Sequence, residues 1–342
     1  MGGLELSGTA AAALAADDRA LERALFGTDD PEAVVELVEQ CCHARVGAPA
    51  VLHSYTRGVG IVAVLGLVDG RDVVLKVHRW NASLERMTAV HAVQGRLAER
   101  GLPVPCPLAA PAPLGRGVAT FASFLPGEAG PWSRATVAAG LHRLVVAARD
   151  LDADVGEPLL HRRPGAPLWP EPHDLRFDFA ATVAGAEWID DLGRLARDRL
   201  AAAWDLGPAV VGHFDWRVEN LGFEDGRIVA IYDWDSLARA PEAVIAGAAA
   251  GTYRIDWRLR EPDPLPSVDE MAGFVADYEA ARGHPFGVDE RALLDAANLA
   301  HLAYAARCQH ADLVASTGDG GSDDVGFLRL LRERGERFFV DG

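Results

Sequence analysis

The spacing of apolar residues in the first part of the chain predicts a small sheet with one main helix. An Ala-rich lead-in over 1–28 is expected to be loosely held. Asp30 then supplies an N-cap and Pro31 a first helical residue, so a helix should begin there. β-Branched runs and turn residues predict the elements that follow. In order they are a strand over 51–54, a turn over 55–60, strands over 61–68 and 72–78 joined by Asp69-Gly70, a helix over 82–100, and one or two strands ending with Val118–Phe124.

The second part of the chain is mainly helical by its periodicity. Helices are predicted over about 133–150, 187–203, 241–255, 266–282, 289–311 and 323–338, with short strands at 209–211, 221–223 and 228–232. Leu125-Pro126-Gly127 interrupts the pattern and indicates a hinge. The expected fold class is α+β: a small N-terminal antiparallel-sheet lobe over 1–122, a larger mostly helical lobe over 123–342, and a cleft between them.

Composition and charge restrict the classes of function. The 342 residues include 33 basic and 50 acidic side chains, a formal charge of −17, which disfavours nucleic acid and anionic membranes as partners. No apolar run approaches the roughly 20 residues of a membrane span. The N-terminus lacks the basic region of a signal peptide, and four cysteines show no metal-binding spacing, so a cytoplasmic, reduced protein is expected.

One basic residue differs from all the others. Lys76 is the single lysine, in the apolar strand Val73-Val74-Leu75-Lys76-Val77, and every other basic residue counted in the charge is arginine. Because an ammonium and a guanidinium are not interchangeable, this position indicates a need for a compact point charge. The alternative is that Lys76 was retained by chance and that its position has no functional meaning.

The most informative segment runs from His213 to Asn220 and continues after a predicted hairpin to Asp233. A hairpin brings its two ends together, so Asp215 and Asn220 should meet Asp233 in an oxygen-rich pocket. Such a pocket suits Mg²⁺ that is held jointly with phosphates. A further carboxylate nearby can orient a substrate hydroxyl and accept its proton.

With these residues in this order, the chain resembles the aminoglycoside phosphotransferase family, a branch of the protein-kinase-like fold. The resemblance implies that Asp215 is the catalytic residue and that Asn220 and Asp233 bind the metal. It also implies that a nucleotide-binding set contacts ATP or GTP through its phosphates and its purine. That set comprises Lys76, Ser54, Gly58, Gly60, Ala122 and Ser123.

The chain departs from the family pattern at three places. Phe214 replaces a small residue, and Trp234-Asp235 replaces Phe-Gly. In the helix over 82–100, the position expected to hold a glutamate partner for the lysine falls near Val90 or His91. Glu85 is the nearest acid, more than one turn too early, so the partner of Lys76 is left open.

The resemblance implies phosphoryl transfer from a nucleoside triphosphate to a hydroxyl of a small molecule, by a monomer or homodimer. A cationic, polyhydroxylated acceptor such as an aminoglycoside or basic peptide antibiotic leads, because acids outnumber bases between Tyr253 and Glu290. Most of those acids are alternatively a solvated face. The rival functions are a kinase of an ordinary metabolite (a sugar, amino alcohol or amino acid) and a nucleotide-binding regulator without catalysis.

Several residues keep two interpretations. His213 is expected to pack beneath the loop rather than to react. Gly58 and Gly60 are either a phosphate-binding loop or ordinary hairpin glycines. Asp235 either supports the metal site or caps a helix over 236–240. A metal cluster formed by His161, His173 and Asp174 is disfavoured, because the spacing fits no metal pattern.

Overall fold

The structure is a computed structural model that describes residues 4–16, 19–79, 82–158, 167–174, 176–259, 264–317 and 325–335. The chain divides into two compact units, Met1–Pro126 and Gly127–Gly342. In the described residues, none of the helices has the length and apolar character needed to cross a membrane.

The first unit is built on a six-stranded sheet. Its strands are β1 (Glu5–Leu6), β2 (Pro49–Arg57), β3 (Ile61–Leu67), β4 (Asp72–His78), β5 (Pro107–Leu114) and β6 (Gly117–Ser123), and its helices are α1 (Gly8–Ala15), α2 (Ala20–Phe26), α3 (Pro31–Arg45) and α4 (Leu84–Glu99). The strand order is β1-β2-β3-β4-β6-β5, with every pairing antiparallel except β1 with β2.

The core of this unit lies on one face of the sheet. Along β4 the side chains of Val73, Leu75 and Val77 are fully buried, whereas those between them are half-buried. Strand side chains alternate between faces, so Lys76 lies on the face opposite this core. The sequence therefore places its single lysine on a sheet surface rather than in the packed interior.

The prediction of a loosely held lead-in over 1–28 is wrong. Helices α1 and α2 bury Ala10, Leu14, Leu25 and Phe26 in the same core as the sheet. The Ser7 side chain caps α1 by accepting a hydrogen bond from the Ala10 amide. Two short helices, individually too weak to persist, are stabilised here by burial against the sheet.

The turn between the first two long strands is shorter than predicted. Strand β2 continues through Tyr55 to Arg57, which pairs with Ile61. Tyr55 is buried and donates to Glu22 of α2, and this contact explains why the segment stays extended. The turn is thus confined to Gly58-Val59-Gly60. The Asp69-Gly70 turn is found as predicted, with Gly70 at φ 86°.

The second unit combines helices with two small sheets. Its strands are β7 (Ala209–His213), β8 (Leu221–Glu224), β9 (Arg227–Ile231) and β10 (Leu237–Pro241), and its helices are α5 (Arg134–Ala148), α6 (Glu187–Ala203), α7 (Glu242–Ala250), α8 (Val268–Arg282), α9 (Val288–Thr317) and α10 (Gly326–Arg334). Strand β8 pairs with β9, and β7 pairs with β10. The α+β class is confirmed.

Two predicted helices of this unit have different bounds. Helix α7 ends at Ala250, whereas the predicted helix ended at about 255. Helix α9 continues to Thr317, beyond the predicted end at 311. The interpretation of Asp235 as the cap of a helix over 236–240 is wrong. That segment forms β10, in which Leu237 pairs with His213. The antiparallel pair of β7 and β10 and the β8–β9 hairpin hold the residues of the candidate site.

Candidate active site

His213 holds the two halves of the candidate site together. Its ring is 1% exposed and lies edge-on to Trp216 and Trp234. Nε2 is 2.8 Å from the Tyr232 carbonyl, an acceptor, so Nε2 carries the proton. Nδ1 then accepts from the Asp215 amide at 3.3 Å, with the Ser236 hydroxyl 3.0 Å away. The packing interpretation of His213 is confirmed.

Asp215 leaves the end of β7 with its carboxylate surrounded by donors. The side-chain amide of Asn220 donates to its Oδ2 at 2.8 Å, and Nη2 of Arg217 lies 3.3 Å from the same oxygen. The side chain of Asp233 also lies against it and lowers its pKa. These contacts agree with the prediction that the hairpin brings Asp215, Asn220 and Asp233 together.

The surroundings of Asp215 act in opposite directions on its pKa. Burial alone would raise the pKa of this carboxyl. The electrostatic effects of Arg217 and His213, followed by the hydrogen bond from Asn220 and the contact with Asp233, outweigh that effect and hold the pKa below its ordinary value. Asp215 is therefore a carboxylate at neutral pH, the form that can accept a proton.

Asn220 and Asp233 are fixed by backbone geometry. Asn220 donates its amide N–H₂ to the Asp215 carbonyl at 2.9 Å and to Oδ2, so its remaining Oδ1 is an acceptor. The Tyr232 amide donates to the Asn220 carbonyl at 2.9 Å, which ties the two ends of the hairpin. Asp233 has φ 63°, a left-handed conformation that is uncommon outside glycine. Such strain is typical of functional sites.

These residues fit a magnesium ion. The Asp233 carboxylate and the Asn220 amide oxygen form a hard, oxygen-only donor set of the kind that holds Mg²⁺ together with substrate phosphates. Within the described residues, no group of three or more His, Cys, Asp or Glu side chains is arranged to hold a metal by itself. A donor set of one carboxylate and one amide oxygen suits a metal that is shared with a phosphate ligand.

A second layer of charge, not predicted from the sequence, lies against Asp215. Nε of Arg217 is 3.1 Å from Oε2 of Glu219. Burial raises the pKa of Glu219, Arg217 opposes that shift, and the charge of Asp256 adds to it. Asp256 is 4% exposed and receives two side-chain hydrogen bonds from Arg258, at 2.8 and 2.6 Å. The one available signal was the position of Arg217 and Glu219 between Asp215 and Asn220.

His301 of α9 is a further residue that sequence reasoning missed. Burial lowers its pKa to about 4; of its charged neighbours, Asp215 opposes the shift, whereas Arg217 and His173 add to it. His301 is therefore neutral at neutral pH. One turn later, the Tyr304 hydroxyl lies 2.8 Å from Nδ1 of His173. Residues i and i+3 share a helix face, so this face of α9 adjoins both the loop after β7 that holds Asp215 and the segment around His173.

The disfavoured metal cluster has no support within the described residues. His173 contacts Tyr304, and Asp174 forms an ion pair with Arg176 at 2.9 Å. Arg176 holds the pKa of Asp174 below its ordinary value against the opposing effect of burial. His161 lies outside the described residues.

The acids expected to attract a cationic acceptor are largely neutralised within the fold. Glu261 and Asp263 lie outside the described residues. Five others form ion pairs with arginines at 2.6–2.9 Å. The pairs are Asp256–Arg258, Glu270–Arg254, Asp277–Arg134, Glu279–Arg291 and Glu290–Arg282. An acidic composition in this region therefore does not amount to an unpaired acidic surface.

In the first unit, strand register brings part of the predicted nucleotide-binding set to one surface. Ser54 pairs with Val64, which pairs with Val74, which pairs with Ala122, in one row across four strands. Lys76 lies two residues further along β4 on the same face. The roles of these residues stay predictions.

Ser123 and the two turn glycines are placed differently. Ser123 faces the opposite side of the sheet from Ala122, and its hydroxyl accepts from the Cys106 amide at 2.9 Å. A Cβ at Gly60 would lie 2.4 Å from the Val77 carbonyl oxygen, so this glycine is required by close backbone approach. A Cβ at Gly58 meets only the Gly60 carbonyl at 4.0 Å. This close approach explains the glycine at position 60, and whether the turn also binds phosphate stays a prediction.

The helix position expected to hold the partner of Lys76 contains no acid. Val90 is buried, and His91 is half-buried. Burial lowers the pKa of His91 to about 4, and the charge of His78 acts in the same direction. Glu85 is exposed in the first turn of α4. The departure from the family pattern at this helix is thus present in the structure.

Comparison with solved structures identifies the fold. The amicoumacin kinase hAmiN, solved with AMP-PNP, Ca²⁺ and Ami, matches with a TM-score of 0.58 and 10% identity over 90% of this chain and 94% of that chain. An apo thermostable mutant of the aminoglycoside phosphotransferase APH(4)-Ia matches with a TM-score of 0.53 and 16% identity, over 87% of this chain and 99% of that chain. Spectinomycin phosphotransferase APH(9)-Ia, solved with ADP and spectinomycin, matches with a TM-score of 0.50 and 12% identity, over 88% of this chain and 94% of that chain. The predicted kinase-like fold is confirmed.

The sequence comparisons are of two kinds. A search of curated protein sequences found no significant match. A model of the phosphotransferase enzyme family matches residues 63–294, a range that includes Lys76, Asp215, Asn220 and Asp233. Since this match spans well over half of the chain, the chain belongs to the phosphotransferase enzyme family.

Proposed function

We propose that this protein transfers the γ-phosphoryl group of a nucleoside triphosphate, ATP or GTP, to a hydroxyl of a small molecule. The observation that carries the proposal is the Asp215 carboxylate, which is kept ionised and in contact with Asn220 and Asp233. Two fold relatives were solved with AMP-PNP or ADP, which supports a nucleotide as the donor.

The chemical step needs positioning and charge neutralisation more than covalent help. Asp215 orients the acceptor hydroxyl and receives its proton late in the step. A bond forms between the hydroxyl oxygen and the γ-phosphorus, and the bond from that phosphorus to the bridging oxygen breaks, which releases the nucleoside diphosphate. In the first unit, Lys76 binds the α/β-phosphates, and Ser54, Gly58 and Gly60 lie beside the phosphates.

Mg²⁺ would be held by Asn220 and Asp233. When bound, it supplies positive charge that neutralises the phosphate oxygens. The Asn220 amide group contributes separately, because its N–H₂ holds Asp215 while its Oδ1 is available to the cation. Replacement of Asp233 by Asn should therefore raise the Mg²⁺ concentration needed for half-maximal rate, without preventing folding.

The leading acceptor class is a cationic, polyhydroxylated natural product. Its support is the class of molecule named with the fold relatives, including spectinomycin, and the negative charge of −17 on the whole chain. Long-range attraction of this kind is electrostatic and weakens with ionic strength. The KM for such an acceptor should therefore rise with salt.

A second acceptor class, a neutral or anionic metabolite, is favoured by a specific observation. The acids of the 253–290 region bind arginines within the fold, and Arg217 lies beside Asp215. A guanidinium next to the reacting carboxylate is more favourable for an anionic or neutral acceptor than for a cation. This candidate predicts turnover of sugars or hydroxy acids in preference to amines.

The test is a phosphorylation panel with Mg²⁺ and ATP or GTP against aminoglycosides, peptide antibiotics, sugars and amino alcohols. Mass spectrometry would detect the gain of one phosphate. Asp215→Asn should reduce the rate by about 10²–10⁴-fold while nucleotide binding is retained. Asp225→Asn, a carboxylate in the β8–β9 turn, serves as the matched control and should leave the rate unchanged.

The outcomes separate the candidates. A product that disappears in Asp215→Asn supports the proposal and identifies the acceptor class. Nucleotide binding without any phosphorylated product, together with the absence of an Asp215-dependent hydrolysis, would favour the non-catalytic regulator. Failure to bind any nucleotide would contradict the proposal.

A further inference from the structure

Arg217 is shared between two carboxylates and is fully engaged by neither. Its Nη2 lies 3.3 Å from Oδ2 of Asp215, and its Nε lies 3.1 Å from Oε2 of Glu219. Nε and Oε2 are both buried, and neither has a hydrogen-bond partner among the residues that the structure describes. Guanidinium–carboxylate pairs usually dock as a two-pronged fork at about 2.7–2.9 Å. Arg217 is therefore held between two possible partners.

Glu219 is fixed from behind by the protein backbone. The Glu219 amide donates to the Ile255 carbonyl at 3.2 Å, and the neighbouring Val218 amide donates to the Tyr253 carbonyl at 2.9 Å. The side chain of Glu219 is 18% exposed. Because the catalytic loop is attached to the 253–255 segment in this way, Glu219 is restrained beside Arg217 by more than the ion pair itself.

The Asp215 carboxylate can accept only a small number of hydrogen bonds. Oδ2 already accepts from the Asn220 amide at 2.8 Å, and the carboxyl also meets Asp233. A two-pronged dock by Arg217 would occupy both oxygens of Asp215. Together with the Asn220 bond, this would leave one acceptor position on Asp215, crowded by the guanidinium, through which the carboxylate could orient the acceptor hydroxyl or take its proton.

We propose that Glu219 is a positioning residue that holds Arg217 back from Asp215 and so keeps this carboxylate open to the acceptor hydroxyl. The inference rests on the proposed phosphoryl transfer and deepens it. Glu219 acts through Arg217 and does not touch the reacting atoms. Arg217, held at this distance, stabilises the negative charge of Asp215 without covering it.

The test is a pair of variants. Glu219→Gln keeps the size of the side chain and removes its charge, so Arg217 should close onto Asp215. The kcat for phosphoryl transfer should fall by about 10–100-fold, as expected for a misplaced catalytic group, with the KM for nucleotide unchanged. The double variant Glu219→Gln with Arg217→Ala should regain part of this loss, because the arginine that blocks Asp215 is absent.

A matched control is Asp191→Asn, which removes the carboxylate partner of Arg194 in an ion pair of 2.5 Å on α6. It should leave kcat unchanged. Crystal structures of the wild-type protein and of Glu219→Gln supply a measurement that needs no activity. The expected result is that both Nη atoms of Arg217 approach the Asp215 oxygens in the variant but not in the wild type.

Two results would overturn the inference. One is a double variant that is no more active than Glu219→Gln, since Arg217 would then be required rather than obstructive. The other is an Arg217 that keeps its position in the crystal structure of Glu219→Gln. A wild-type protein with no phosphoryl transfer would instead contradict the proposed function, and the crystallographic comparison would still decide the geometry.

Discussion

Replacement of His213 by Ala tests how the candidate site is held together. The change removes the donor to the Tyr232 carbonyl and the acceptor for the Asp215 amide. Each hydrogen bond contributes about 0.5–1.5 kcal/mol to stability. Loss of a buried ring between Trp216 and Trp234 adds about 2 kcal/mol through lost contacts and the space left behind. The free energy of unfolding should therefore fall by about 3–5 kcal/mol.

Urea denaturation and thermal melting measure this change. For a domain of 150–250 residues, it corresponds to a fall in Tm of about 6–20 °C. His213→Gln retains a terminal amide donor that can approach Tyr232, so it should recover part of the loss. His284→Ala, an exposed histidine of the same unit, should change stability by less than about 0.5 kcal/mol. If His213→Ala costs no more than His284→Ala, the ring does not hold the site together as described.

Three further predictions concern stability. Gly60→Ala should destabilise the first unit by about 1–3 kcal/mol, because its Cβ meets the Val77 carbonyl, whereas Gly58→Ala should be neutral in the same urea titration. The pKa of His91 is lowered to about 4, so the unfolded state binds one proton more than the folded state between about pH 4 and 6.5. Unfolding free energy should fall as the pH drops through that range, and His91→Gln should reduce this dependence. Asp295→Ala should lower the free energy of unfolding by about 3–5 kcal/mol, because it leaves the buried Arg334 without its carboxylate. Asp198→Ala, at an exposed ion pair, should lower it by less than about 1 kcal/mol. A similar effect of both variants on Tm would contradict this reasoning.

Features that depend on neighbouring residues were predictable from the sequence. The N-cap Asp30 and Pro31 begin α3 at the expected residue. The left-handed pair Asp225 and Gly226 forms the expected turn of the β8–β9 hairpin. This hairpin brings Asn220 and Asp233 to the same place, so the candidate site followed from local turn chemistry combined with residue type.

Features that depend on distant partners were not predictable. Helices α1 and α2 have short, Ala-rich sequences without a clear apolar stripe, and they are stabilised by burial against the sheet. The 237–241 segment lacks the β-branched residues that mark strands, yet it extends because β7 offers it hydrogen bonds. Asp277 is paired with Arg134, which is 143 residues away along the chain. An acid's partner at such a distance cannot be read from charge patterns.

The two outer strands of the six-stranded sheet limit how copies of this chain can associate. At one border, β1 covers β2 over the residues Glu5 and Leu6 alone. At the other, β5 carries prolines at 107, 111 and 113, each of which lacks the N–H needed to bind another strand. Short or proline-containing edges discourage edge-to-edge joining and the aggregation that follows from it. Joining of two copies through the β5 border of this sheet is therefore disfavoured.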